Sequence, residues 1–144
     1  MKVFFSFFAQ LASAALLLTP GTQLFSQKTA TWKGGAPGME QEWNCPKNWS
    51  GGTIPNEFSN VIIPDVRATT QAAPVIQSGL VEVNALFLES SARLTIGPSA
   101  ELIIHETAEG LDHNTLNLKG KLLLPEKYQN KVYTKTARQF ADKW

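Results

Sequence analysis

Two histidines, His105 and His113, fall within nine residues of each other, together with Glu106, Glu109 and Asp112. Metal ligation is the chemistry these types could perform if a loop gathered them. Their spacing matches no established zinc pattern and lacks the two-histidine helical pair of a metalloprotease. A solvated polar loop between two strands is the expectation. Cleavage of a polysaccharide would need paired carboxylates, and Glu82 and Asp65 stand without evident partners. No nucleophile elbow, phosphate loop or dinucleotide fingerprint occurs. The chain is therefore expected to be no enzyme and to carry neither metal nor cofactor. Binding is the better prospect: Trp32, Trp43 and Trp49 could form a flat platform for sugar rings, with Asn48, Asn44 and Glu42 offering hydrogen bonds. The preferred reading of these rings, however, is that they cover the open end of a core, which a short solenoid must cap whatever else it does.

Those residues belong to a chain that carries an export pattern. Lys2 is the only charge before Lys28, and Val3 to Leu18 is apolar apart from small polar breaks, until Thr19-Pro20-Gly21 interrupts it. A positive start, a short apolar centre and a break with small residues mark a cleavable signal peptide, whereas a spanning helix needs about 20 apolar residues. Cleavage after Gly21 or Ser26 fits, and Ser26 is preferred, leaving Gln27 as the new terminus. Without Lys2 the acids and bases balance, so nothing pulls the chain towards nucleic acid. Six acids lie from Glu82 to Asp112 against Arg93, and seven bases lie from Lys119 to Trp144 against Glu126 and Asp142. Ordinary solvated faces are the expected reading of that asymmetry. Cys45, the only cysteine, precludes an internal disulfide and reads as a small buried thiol.

Residues 28–60 are rich in Trp, Gly, Asn and Pro and read as an irregular, Trp-anchored segment. Beyond them come short apolar or alternating runs, each too short for a helix. Runs starting at Val61, Val81, Leu102 and Leu122 recur at intervals of 20, 21 and 20, and a second set at Val75, Leu94 and Leu116 recurs at 19 and 22. A period near 21 residues with three short strands per turn is what a parallel β-helix needs. Flanking residues of each triplet would then point inward and the middle residue outward, as Glu82, Thr95 and Asn117 do; Phe87 and Ile103 depart from that alternation. The expected fold is all-β: a short right-handed parallel β-helix with an irregular Trp-rich N-terminal cap, the alternative being an antiparallel β-sandwich. Residues 1–26 form the signal peptide, 27–60 the cap, 61–124 the coils, and 125–144 a basic tail for which a short helix is one form.

Thr31-Trp32-Lys33-Gly34-Gly35, Trp43, Asn48-Trp49-Ser50-Gly51-Gly52, Ile54-Pro55 and Val61-Ile62-Ile63-Pro64 together resemble the opening of β-helical repeat units in large secreted surface proteins of Gram-negative bacteria. The resemblance continues through Ala92-Arg93-Leu94-Thr95-Ile96 and Ala100-Glu101-Leu102-Ile103-Ile104, and covers about residues 31 to 124. Cys45 stands where those units usually have Asp. The resemblance implies a secreted, cell-surface or periplasmic scaffold of adhesin-like character, with polysaccharide or cell-envelope components as partners; the exposed end coils of a short solenoid would allow self-association. Asn48-Trp49-Ser50 formally matches a glycosylation acceptor, and in such a protein it is expected to mark only an exposed turn.

Overall fold

Period-two alternation of Val, Ile and Leu favours strands because a pleated backbone puts every second side chain on one face. The computed structural model describes residues 27–66 and 71–128. It is mostly β, with a six-stranded parallel sheet and almost no helix. The strands are β1 (Lys28–Thr31), β2 (Ser59–Ile63), β3 (Val75–Leu88), β4 (Leu94–Glu109), β5 (Leu116–Leu118) and β6 (Lys121–Leu123). They pair in the order β1-β2-β3-β4-β5, with β6 also on β4. Every named strand pairing is parallel, which rules out the antiparallel sandwich for the described residues.

The long strands β3 and β4 pair in three stretches. Val75 and Ile76 lie opposite Thr95 and Ile96, Ser78–Val83 opposite Ser99–Ile104, and Ala85–Phe87 opposite Thr107–Glu109, with register shifts after Ile76 and after Val83. Such irregularities bend a strand. β5 continues the ladder of the first stretch, β6 that of the second, and β2 joins the third. Parallel register places like upon like: Val61 on Leu86 and Ala108, Val81 on Leu102 and Leu122, Ile76 on Ile96 and Leu118. All but the half-buried Leu118 are buried. Each aliphatic side chain removed from water contributes about 1.5–3 kcal/mol, so these ladders are the main source of stability. Where the backbone turns, side chains are excluded: a Cβ on Gly120 would collide with the carbonyl oxygens of Gly97 and Ala100, and one on Gly110 with that of Leu88.

The expected pairings of Val81–Val83 with Leu102–Ile104 and of Leu94–Ile96 with Leu116–Leu118 are present residue for residue. Two other alignments are corrected. Val61 lies opposite Leu86 rather than Val81, because β2 joins the third stretch of β3 instead of the second. Val75 lies opposite Thr95 rather than Leu94, so Ile76 and not Val75 points into the core. The Trp-rich segment also contributes a strand, β1, that the composition concealed. The expected signal peptide over 1–26 and the tail from 129 onward lie outside the described residues.

Candidate functional site

Immediately after β1 the chain leaves the sheet but stays tied to it. Trp32 donates its backbone N–H to the Ile62 carbonyl at 2.9 Å, and Trp43 donates to Val75 at 3.2 Å. Pro46 opens a one-turn 3-10 helix over Pro46–Asn48, where its fixed φ and missing donor cost nothing. That turn delivers Asn48 and Trp49 to the interior. Trp49 then stands between the other two rings, edge-to-face with Trp32 at 4.9 Å and with Trp43 at 4.6 Å. Pairs of this geometry contribute about 0.5–1.5 kcal/mol beyond their burial. The indole N–H of Trp32 donates to the Ala72 carbonyl at 2.8 Å, and that of Trp49 to the Trp43 carbonyl at 2.7 Å.

Asn48 is the polar centre of the segment. Its Oδ1 accepts the Ala36 N–H at 2.8 Å, and its Nδ2 donates to the carbonyls of Met39 at 2.6 Å and Glu42 at 3.0 Å. A side-chain amide suits this place because it matches donors and acceptors without burying a charge.

Exposure decides what these residues can do. Trp32, Trp43, Trp49 and Asn48 are 1, 1, 0 and 0 % exposed. The rings offer no face on which a sugar could stack, and they belong to one core cluster with Ala30, Val61, Ile63 and the aliphatic ladders. The aromatic platform is therefore corrected to an internal plug. Asn48-Trp49-Ser50 is likewise no exposed turn. Cys45, just before the 3-10 helix, is a buried free thiol. One polar atom of the plug stays unsatisfied: the indole N–H of Trp43 is buried without a partner.

The histidine and acid group is also rearranged. β4 runs to Glu109, so His105, Glu106 and Glu109 stand on a strand and only Asp112 and His113 lie in the following turn. His105 Nε2 lies 2.9 Å from Glu82 Oε2, giving Glu82 a partner on the neighbouring strand. Both side chains are more than a third exposed, and such pairs contribute at most about 1 kcal/mol. Among the described residues no group of three or more His, Cys, Asp or Glu is placed to hold a metal. Glu40 and Asp112 are both held below the usual carboxylate range by backbone N–H groups, those of Gly38 and Glu40 for the first and of Asn114 and Thr115 for the second.

A polar groove of about 520 Å³ lies between the turn after β3 and the turn after β4, lined by Glu89, Ser90, Ser91, Arg93, Asp112 and Asn114 among others. Sequence reasoning passed over it because its residues are 20 or so positions apart and look like two unrelated turns. The available signal was the 21-residue repeat, which stacks one turn on the next. No family model, curated protein or solved structure matches the chain. No helix among the described residues is long and apolar enough to cross a membrane.

Proposed function

We propose that this chain is an exported, non-catalytic structural and interaction module of the cell surface or periplasm, adhesin-like in character. Its strands wind as a short right-handed parallel β-helix closed at the N-terminal end by the tryptophan plug. The observation that carries the reading is the recurrence of register. Val75, Thr95 and Asn117 form one ladder, and Leu80, Glu101 and Lys121 another, with 20 to 22 residues between successive rungs. A chain that returns to the same ladder, in the same direction, at that interval winds round an axis. Parallel crossovers are right-handed almost without exception.

In such a scaffold the inward positions are spent on aliphatic stacking, and partners meet the outward side chains and the turns. Balanced charge favours neutral polysaccharide or other cell-envelope components over nucleic acid. The last strands of the stack, β5 and β6, are the surface through which copies would associate. Export from a Gram-negative host, N-terminal sequencing and co-sedimentation with isolated envelopes test the reading together. The expected result is a chain beginning at Gln27 that sediments with envelopes. A chain retained uncut in the cytoplasm, or one that stays in the supernatant like an inert control protein, would overturn it.

A further inference from the structure

We infer that the groove between residues 89–93 and 110–115 is a binding subsite for a neutral saccharide unit. The inference rests on reading the chain as an exported module with a polysaccharide partner, and it names the place of contact. The two turns are pressed together at one end, where Gly110 leaves no room for a Cβ against the Leu88 carbonyl. They are tied again where Leu94 N–H donates to the Thr115 carbonyl at 2.8 Å. Between these points they diverge, and the space of about 520 Å³ has the size of a small-ligand site.

The walls are held before any ligand arrives. Asp112 Oδ1 accepts the backbone N–H groups of Asn114 at 2.6 Å and Thr115 at 3.0 Å, and the Thr115 hydroxyl donates to the Gly110 carbonyl at 2.6 Å. Ala92 N–H closes the opposite turn on the Glu89 carbonyl at 2.9 Å. Ser91 is the only non-glycine among the described residues with a positive φ, 71°. Strain of that kind persists only where the surroundings impose it, and an ordered wall loses little freedom on binding.

The chemistry favours hydroxyl groups. Arg93, Asn114, Ser90 and Ser91 line the groove, and among the described residues their side chains make no hydrogen bond or ion pair. Guanidinium and amide present paired, planar donors that fit two adjacent hydroxyl oxygens, and carboxylates accept the hydroxyl protons. A phosphate or sulfate fits less well, because Glu89 and Asp112 share the groove with Arg93 and repel a second anion.

The test is titration of the ¹⁵N-labelled protein with methyl α-mannoside, methyl β-galactoside, methyl β-glucoside and, as comparison, inorganic phosphate. Saturable amide shifts in residues 89–93 and 110–115 with at least one glycoside are expected. In the Arg93→Ala/Asn114→Ala double variant those shifts should fall at least tenfold, while its core amides keep their positions. Shifts located elsewhere, shifts unchanged in the double variant, no shifts with any glycoside, or equal shifts with phosphate would each overturn the subsite. Envelope co-sedimentation of the parent protein separates the two claims: sedimentation without any glycoside response sinks the subsite alone, whereas failure to sediment sinks the module reading.

Discussion

The indole N–H of Trp49 donates to the backbone carbonyl of Trp43 at 2.7 Å, while the indole N–H of Trp43, just as deeply buried, meets no acceptor. Two adjoining rings of one plug thus differ in a single hydrogen bond. Replacing either by Phe removes similar volume, so the packing losses nearly cancel. Trp49→Phe also strands the Trp43 carbonyl, whereas Trp43→Phe relieves an unsatisfied donor. Urea denaturation should show Trp49→Phe to be about 1–3 kcal/mol more destabilising than Trp43→Phe. Equal losses would mean that the hydrogen bond contributes nothing to the plug.

Backbone contact between neighbouring strands sets the second prediction. Gly110→Ala and Gly120→Ala would each drive a methyl group into a carbonyl oxygen, and each should cost more than about 3 kcal/mol. Gly52 has a positive φ of 65° but open space around it, so Gly52→Ala should cost only about 1–2 kcal/mol. Thermal denaturation of the three variants ranks them, and a Gly52 variant as unstable as the other two would remove the case for close backbone approach.

The ladders predict a contrast between inward and outward leucines of the same stretch. Leu102 lies between Val81 and Leu122 and is fully buried, while Leu80 on β3 is 58 % exposed. Leu102→Ala should cost about 2–5 kcal/mol, and Leu80→Ala should stay within about 0.5 kcal/mol of the parent. A large loss at Leu80 would show that the outward face is covered by something in the folded protein.

Asp112 gives the pH prediction. The amides of Asn114 and Thr115 stabilise its charged form and hold its pKa below 3.8. A carboxylate depressed in the folded state contributes stability that is present above its unfolded value and is lost as pH falls through the folded one. Solvent exposure makes that contribution small, so the carboxyl group itself is the better readout. The side-chain carboxyl carbon resonance of Asp112 should show no carboxylate titration down to the ordinary aspartate range and should titrate only below 3.8. An inflection above that value would mean that the two hydrogen bonds do not form in solution.

Much of the β-core was legible because period two and a 21-residue recurrence are properties of the chain itself. Leu94, Ile96, Leu102 and Ile104 take inward places on this count alone. What stayed hidden depends on where the connections place the segments. The register of Val61 depends on where the connection from β2 to β3 returns the chain, and spacing cannot tell Leu86 from Val81 as its neighbour. The tryptophans posed a different difficulty, since a ring suited to stacking on sugar is equally suited to filling a core. The hydrogen bonds of Asn48 with Ala36, Met39 and Glu42 hold the segment in its buried form. Residues twelve, nine and six positions apart give no periodic signal of that. The groove was hidden for the converse reason: Arg93 and Asn114 become neighbours only once the strands are in parallel register.

That register is the claim on which scaffold and groove both rest, and disulfide trapping tests it most directly. Glu82 and Ile103 are opposite each other on β3 and β4, about 4.8 Å apart as neighbouring strands are, within the span a disulfide can bridge. Glu101 is offset from Ile103 by two residues, which puts its Cα beyond the roughly 7 Å limit from Glu82. Under mild oxidation the Glu82→Cys/Ile103→Cys variant should cross-link within the chain, read by mass spectrometry, and the Glu82→Cys/Glu101→Cys variant should stay reduced. Cross-linking of the offset pair in preference to the opposed pair would contradict the parallel stack.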